Sequence, residues 1–196
     1  HERFPIGERM IVLATGSLLR ETGIEDILAS TPYWPRNFVL VLHGWLPFPD
    51  FRDAVKDFVA GRDNVFLSEA ILPPEEKFQV FQGTDVGLVF FTGTDVNIHY
   101  AAGSAGKLYD CMRCGVPIIG NDIPGMRDLV EGNGCGLVVP DAEALPRALP
   151  QIARRRDLFR KNCLQVFPRY EFSRCYAPLL RMTEKMVGGR LSQKQV

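Results

Sequence analysis

Residues 103–122, GSAGKLYDCMRCGVPIIGND, decide how the rest of the chain is read. Gly103, Ser104, Ala105 and Gly106 carry almost no side-chain bulk, so backbone can close on a ligand there. A helix is expected from near Lys107, and its first N–H groups have no partner within the helix. Those amides and the helix dipole favour an anion such as phosphate. Lys107 and Asp110 stand three residues apart and share a helix face. Lys107 can neutralise a phosphate, and Asp110 can accept hydrogen bonds from a ribose diol. Gly115 ends the helix, and VPIIG reads as a buried strand. The plainer reading is an ordinary helix–strand unit with a surface Lys–Asp pair, which is a common arrangement.

Outward from this stretch the same alternation recurs. Met10–Thr15, Asn37–His43, Asn64–Leu72, Asp85–Phe91 and Gly136–Val139 read as strands that are apolar nearly throughout. Helical spacing marks Ile24–Ser30, Phe51–Ala60, Pro74–Gln82, Gly125–Glu131 and Ala142–Arg155 between them. Pro146 and Pro150 should strain or break the last of these. Asp157–Val166 and Phe172–Val187 are expected as terminal helices, and 188–196 as a frayed tail. Continuous apolar strands alternating with helices predict an α/β domain: a Rossmann-like, doubly wound parallel sheet of about six strands, covered by helices on both faces. Residues 1–187 are taken as one domain. Ligands of such sheets bind at the carboxyl ends of the strands near the switch point. That places Gly16–Thr22 and Thr92–Gly106, two glycine-bearing loops, at the expected site.

The totals exclude several classes. The chain has 196 residues, 46% of them hydrophobic, with 23 Lys plus Arg against 23 Asp plus Glu. This is a globular composition, and its neutrality gives no electrostatic case for nucleic acid. No apolar run approaches the ~20 residues needed to span a bilayer. The chain starts at His1, which suggests a piece of a longer protein. The five cysteines, at 111, 114, 135, 163 and 175, show no disulfide framework. Cys111 and Cys114 form a CxxC at the end of a helix rather than at its start, where a dipole would activate a thiol, so packing on the sheet is expected of them. A Walker loop fails at Ala101 and Leu108, and no GxGxxG, GxSxG or HExxH is present. His43 and His99 read as strand-end and loop histidines, and no metal or cofactor is expected.

With the strands placed, the sequence resembles the C-terminal, nucleotide-sugar-binding domain of GT-B fold retaining glycosyltransferases. The resemblance runs from about Ile11 to Leu149. It is carried by Ser104-Ala105-Gly106-Lys107-Leu108-Tyr109-Asp110-Cys111-Met112 followed by Gly115-Val116-Pro117-Ile118-Ile119. Family members show S-P-x-K-[LF]-[YF]-E-[YF]-M and then G-x-P-[VI]-[VI]. Asn97, Asp85-Val86-Gly87-Leu88, Pro124-Gly125-Met126-Arg127-Asp128-Leu129-Val130 and Gly136-Leu137-Val138-Val139 match flanking elements.

The resemblance implies that the donor diphosphate lies against Gly16, Ser17, Arg20, Ser104, Ala105, Gly106 and Lys107. Asp110 falls where the family's glutamate holds the ribose and is one methylene shorter. Ile71 and Leu72 lie in the loop whose backbone reads the base, while Asn97, Tyr100 and Gly103 face the donor sugar or the cleft. After the first-strand glycine the family often has an arginine, and a lysine about five residues later. Here those places hold Ser17 and Thr22, with Arg20 between them as a substitute clamp. The acidic position eight residues before Asp110 is Ala102. The implied activity is metal-independent, retaining transfer of a sugar from a nucleoside-diphosphate sugar to an acceptor, by a cytoplasmic protein or one at the inner membrane face. The acceptor would be held by an N-terminal domain preceding His1, against which Phe172–Val187 would pack. The isolated chain would bind donor without turning it over, and any membrane contact would come through that domain. Two alternatives stay open: a nucleotide-sugar epimerase using acids such as Asp95, Asp122 and Glu131, and a non-catalytic nucleotide-sugar-binding subunit.

Overall fold

The computed structural model describes residues 4–73 and 75–192, with side chains through Val187. In chain order the elements are β1 (Met10–Ser17), α1 (Ile24–Ser30), β2 (Phe38–Trp45), α2 (Pro49–Val59), β3 (Val65–Ser68), α3 (Lys77–Gln82), β4 (Val86–Val89), α4 (Val96–His99), α5 (Gly106–Cys114), β5 (Ile118–Asn121), α6 (Met126–Val130), β6 (Gly136–Val139), α7 (Leu145–Arg154), α8 (Arg156–Val166) and α9 (Phe172–Ser192). The six strands form one sheet in the order β3-β2-β1-β4-β5-β6, every pair parallel. The chain winds outward from β1 to β3, returns to β4 and winds outward again to β6. The switch point therefore lies between β1 and β4.

The apolar strands are explained by burial on both faces. In β1, Val12 and Ala14 pack with α1, α2 and α7, through Ile27, Val55 and Leu149 among others. Ile11 and Leu13, one residue out of step, pack with α3, α5, α6 and α8, through Phe81, Leu108, Met126 and Cys163. Residues of one strand alternate between faces, so two helix layers demand hydrophobics at both parities. That is why no polar alternation is visible in the sequence.

The expected elements are present with moved ends. The third strand is shorter than Asn64–Leu72, because pairing with β2 stops at Ser68. Residues 69–73 then leave the sheet, and Ile71 is 97% exposed. The expected helix 74–82 starts at Lys77, and Pro74 lies outside the described residues. The expected helix 142–155 is a single 3-10 turn, Ala142–Ala144, followed by α7. Pro146 sits in the first turn of α7, where its missing N–H costs nothing. Pro150 lies inside α7 without ending it. It forfeits the bond to the carbonyl four residues back, but Leu149 and Ile152 are fully buried on either side. The last helix continues to Ser192, and the remainder of the expected frayed tail lies outside the described residues.

One close approach seats the helix that matters most. Gly87 in β4 pairs with Leu13 and Ile118 and faces α5. A Cβ built on it would lie 2.4 Å from Cys111 Sγ, inside any permitted contact. Cys111 is buried, and burial pushes its thiol pKa far up, so it acts here as a small packing side chain. Gly115, at φ 67°, terminates α5 in the left-handed region and turns the chain into β5. Gly87→Ala is expected to destabilise the fold by about 1–3 kcal/mol through overpacking. Adding Cys111→Ala should recover most of that loss, measured as the urea midpoint of the single and double variants.

Candidate functional site

The carboxyl edge of the sheet gathers the loops after β1, β3 and β4 and the start of α5. α5 precedes β5 and runs antiparallel to it, so its N-terminus lies at this edge. Ala105 occupies the N-cap position, and no side chain caps the helix. Gly103, Ser104 and Gly106 are exposed in front of it, while Ala105 is buried beneath. The small-residue loop is pinned: Tyr109 Oη donates to Gly103 O at 2.9 Å, and Ser104 Oγ donates to Ala101 O at 3.1 Å. The approach to the helix start is thus open, and an uncapped helix N-terminus suits a group of negative charge.

Lys107 and Asp110 share a helix face but do not pair with each other; the Lys–Asp pair at Asp110 is made by Lys77. The Lys107 ammonium sits 5.0 Å from the centre of the Phe91 ring. Desolvation there lowers its pKa to about 8, offset slightly by Cys111. Asp110 Oδ2 instead accepts from Lys77 Nζ at 2.6 Å, with the Asp110 side chain 16% exposed. Phe91 is itself held by Asn121, a buried polar residue at the end of β5. Asn121 Oδ1 accepts from Phe91 N at 2.9 Å and Asn121 Nδ2 donates to Phe91 O at 2.7 Å. This amide extends the sheet ladder past β4 and fixes the ring under Lys107.

The first-strand loop is arranged without its usual basic residues. Gly16 has φ 103°, and a Cβ there would meet nothing within 4 Å, so the space beside it is open. Ser17 is exposed. Thr22 is spent inside the loop: its Oγ accepts from Leu19 N at 3.0 Å and lies 3.2 Å from Ser17 O. Arg20 pairs with Glu25 at 2.9 Å and lies over the Phe51 ring at 4.7 Å. Both members of that ion pair are about half exposed, and such a pair is worth ~0–1 kcal/mol, so an anion can compete for Arg20. Thr92 joins this loop to the one after β4, its N–H donating to Glu21 O at 2.9 Å and its Oγ to Arg20 O at 3.1 Å.

The remaining expected residues scatter around the edge. Ile71 lines a cleft of about 620 Å³ with Gly44, Trp45, Arg52, Glu69 and Ala70. Leu72 lines a separate groove of about 500 Å³ with His43 and Ser68, and His43 Nδ1 lies 3.1 Å from Ser68 Oγ. Asn97 and Tyr100 are exposed on and after the single turn α4, and His99 packs edge-on to Tyr100. Ala102 is fully buried and lies 3.9 Å from where a Gly125 Cβ would stand, so this position faces protein. The carboxylates an epimerase would draw on are engaged: Asp95 caps α4 through Asn97 N, and Asp122 and Glu131 both hold Arg127. No group of three or more His, Cys, Asp or Glu gathers as a metal site among the described residues.

Three contributors were not read from the sequence. Asn121 had a signal, an asparagine closing a buried apolar strand, and Phe91 stood at the end of the expected strand Asp85–Phe91. Lys77 had none, because its partner is 33 residues away. The lowered Lys107 pKa has a stability consequence. The unfolded state keeps this proton up to pH ~10.4, whereas the folded state releases it near 8, so unfolding takes up a proton in between and stability rises with pH. Relative to Lys107→Met, the wild-type chain should gain up to ~3 kcal/mol between pH 8 and 10.5, measured by denaturant titration at each pH.

No curated protein sequence matches this chain. Its fold is similar to solved structures at low identity, which speaks to architecture alone. Against HepE from Anabaena in complex with UDP the TM-score is 0.69 at 12% identity, covering 96% of this chain and 50% of that one. Against the C-terminal domain of a glycosyl transferase group 1 family protein (LpcC) from Francisella tularensis it is 0.67 at 14% identity, covering 87% and 90%. WaaG, a glycosyltransferase of lipopolysaccharide biosynthesis, gives 0.61 at 17% identity, covering 83% and 43%. The chain spans about half the length of HepE and WaaG. A family model described as glycosyl transferases group 1 matches residues 9–155, from β1 through α7. Three quarters of the sequence falls within that match, and it contains every element of the carboxyl-edge site, so the chain belongs to the glycosyl transferases group 1 family.

Proposed function

We propose that this chain is the donor-binding half of a glycosyltransferase. It would hold a nucleoside-diphosphate sugar while the sugar passes to an acceptor carried by an N-terminal half. The carrying observation is the bare N-terminus of α5, with the half-buried Lys107 at its first turn and Asp110 one turn on. In this reading the amides of Gly106 and Lys107, at the start of α5, and the Lys107 ammonium face the diphosphate, while the Ala105 amide donates to Ala102 O at 3.4 Å. Arg20, on leaving Glu25, adds a second positive charge beside Gly16 and Ser17. Asp110 accepts from the ribose, the loop at Ile71 and Leu72 reads the base, and Asn97, Tyr100 and Gly103 border the sugar.

Chemically, the bond between the anomeric carbon and the diphosphate oxygen breaks, its electron pair staying on that oxygen. The acceptor hydroxyl bonds to the anomeric carbon, and its proton passes to the departing diphosphate. Charge therefore grows on the diphosphate during the step, and preorganised donors at that point lower the barrier. Retention of configuration, independence of metals and inactivity of the isolated chain belong to the proposal. So do a cytoplasmic or inner-membrane-face location and a role in cell-envelope glycan synthesis. The solved HepE structures hold UDP and UDP-glucose, which makes a uridine donor the first to try here. α9 supports an N-terminal partner half. Phe172, Tyr176, Leu179, Leu180, Met186 and Val187 recur at helical spacing and are exposed, an apolar face that a second domain would cover.

The test is calorimetric titration of the chain with UDP, GDP and ADP. One diphosphate should bind, and Lys107→Ala and Asp110→Ala should each weaken it by roughly tenfold. At a hundred times its dissociation constant it should stabilise the chain by ~2.7 kcal/mol. Affinity should fall as pH rises above 8, where free Lys107 loses its proton, and Lys107→Met should flatten that dependence. Failure of all three nucleotides to bind both this chain and a longer one carrying the N-terminal half would sink the reading.

A further inference from the structure

Resting on the nucleotide reading above, we infer that Lys77 completes the ribose reader by acting through and beside Asp110. Lys77 Nζ stands 2.6 Å from Asp110 Oδ2, and among the described residues no other hydrogen bond reaches that carboxylate. Oδ1 is therefore available. An ammonium has three donors and a carboxylate only acceptors. A ribose hydroxyl is both donor and acceptor, so it can donate to Asp110 Oδ1 while accepting from Lys77 Nζ. A lone aspartate offers only the first of these bonds.

The position of Lys77 suits this role. The Asp110 side chain is 16% exposed, whereas Lys77 is 51% exposed, so a ligand can reach its ammonium while the pair is kept. Lys77 opens α3, directly after the loop that carries Ile71 and Leu72. It thereby ties the segment assigned to the base to the carboxylate assigned to the ribose. Asp110 has a short reach, and the lysine restores the second contact to the sugar.

The experiment uses the 196-residue chain and whichever of UDP, GDP and ADP binds tightest, together with its 2′-deoxy and 3′-deoxy counterparts. Binding is measured by calorimetry for wild type, Lys77→Met, Lys77→Arg and Asp110→Asn, with circular dichroism confirming the fold. Wild type should prefer the ribonucleotide over at least one deoxy form by about tenfold. Lys77→Met should weaken the ribonucleotide yet leave that deoxy form within about twofold, so that the preference collapses. Lys77→Arg should restore part of it. Equal weakening of all nucleotides by Lys77→Met would assign Lys77 a purely structural role and overturn the inference. An unchanged preference in Lys77→Met that is lost in Asp110→Asn would overturn it too, while leaving the nucleotide reading intact. A wild type that binds none of the nucleotides, either as this chain or in a longer one carrying the N-terminal half, overturns the nucleotide reading itself.

Discussion

The architecture depends on how closely α5 lies against β4. At Gly87 there is no room for even a methyl group, because Cys111 Sγ occupies the place a Cβ would take. This contact sits beside the switch point, on the strand that joins the two wound halves of the sheet. It fixes the height of α5 above the sheet, and with it the start of the helix at the carboxyl edge. The buried Asn121 amide then locks Phe91 by both its backbone groups. Helix start and aromatic floor are therefore held by packing and ladder bonds rather than by the exposed loops around them.

The electrostatics follow from that placement. Lys107 is set over an aromatic ring in a poorly solvated position, so its charge is costly without an anion, and its pKa falls. An arriving anion would relieve the same cost, since an opposite charge favours the protonated form. Asp110, one turn further, is spared this conflict by Lys77. Two residues that share a helix face thus sit in opposite situations: among the described residues the cation has no ion-pair partner, whereas the anion has one. A ligand with phosphates at one end and hydroxyls at the other matches this polarity.

The first-strand loop departs from the family pattern in an intelligible way. Thr22 stands where a lysine is common and is consumed by hydrogen bonds within the turn. Arg20 is drawn to Glu25 and Phe51 on the α1–α2 side. Positive charge at the edge is consequently concentrated on the α5 side, and the open space beside Gly16 carries no fixed cation of its own.

Much of this was legible in the sequence, because it rests on local rules. Apolar runs closed by glycine announced the strands, and helical spacing placed α1, α2 and α5. Gly115 and the CxxC after the helix start identified a helix end rather than a redox site. The family resemblance was also carried by a contiguous motif, residues 104–119, whose spacing is covalent. Element ends were less legible: β3 ends where pairing with β2 ends, and α7 carries Pro150 because buried neighbours outweigh one lost hydrogen bond. Partners across the fold were invisible. That Asp110 answers to Lys77, that Lys107 rests on Phe91, and that Asn121 holds Phe91 all depend on which segments the sheet order brings together. Residue type and spacing determined which groups were on offer. Only the tertiary structure decided which of them met, because burial and charge pairing are properties of the space between elements.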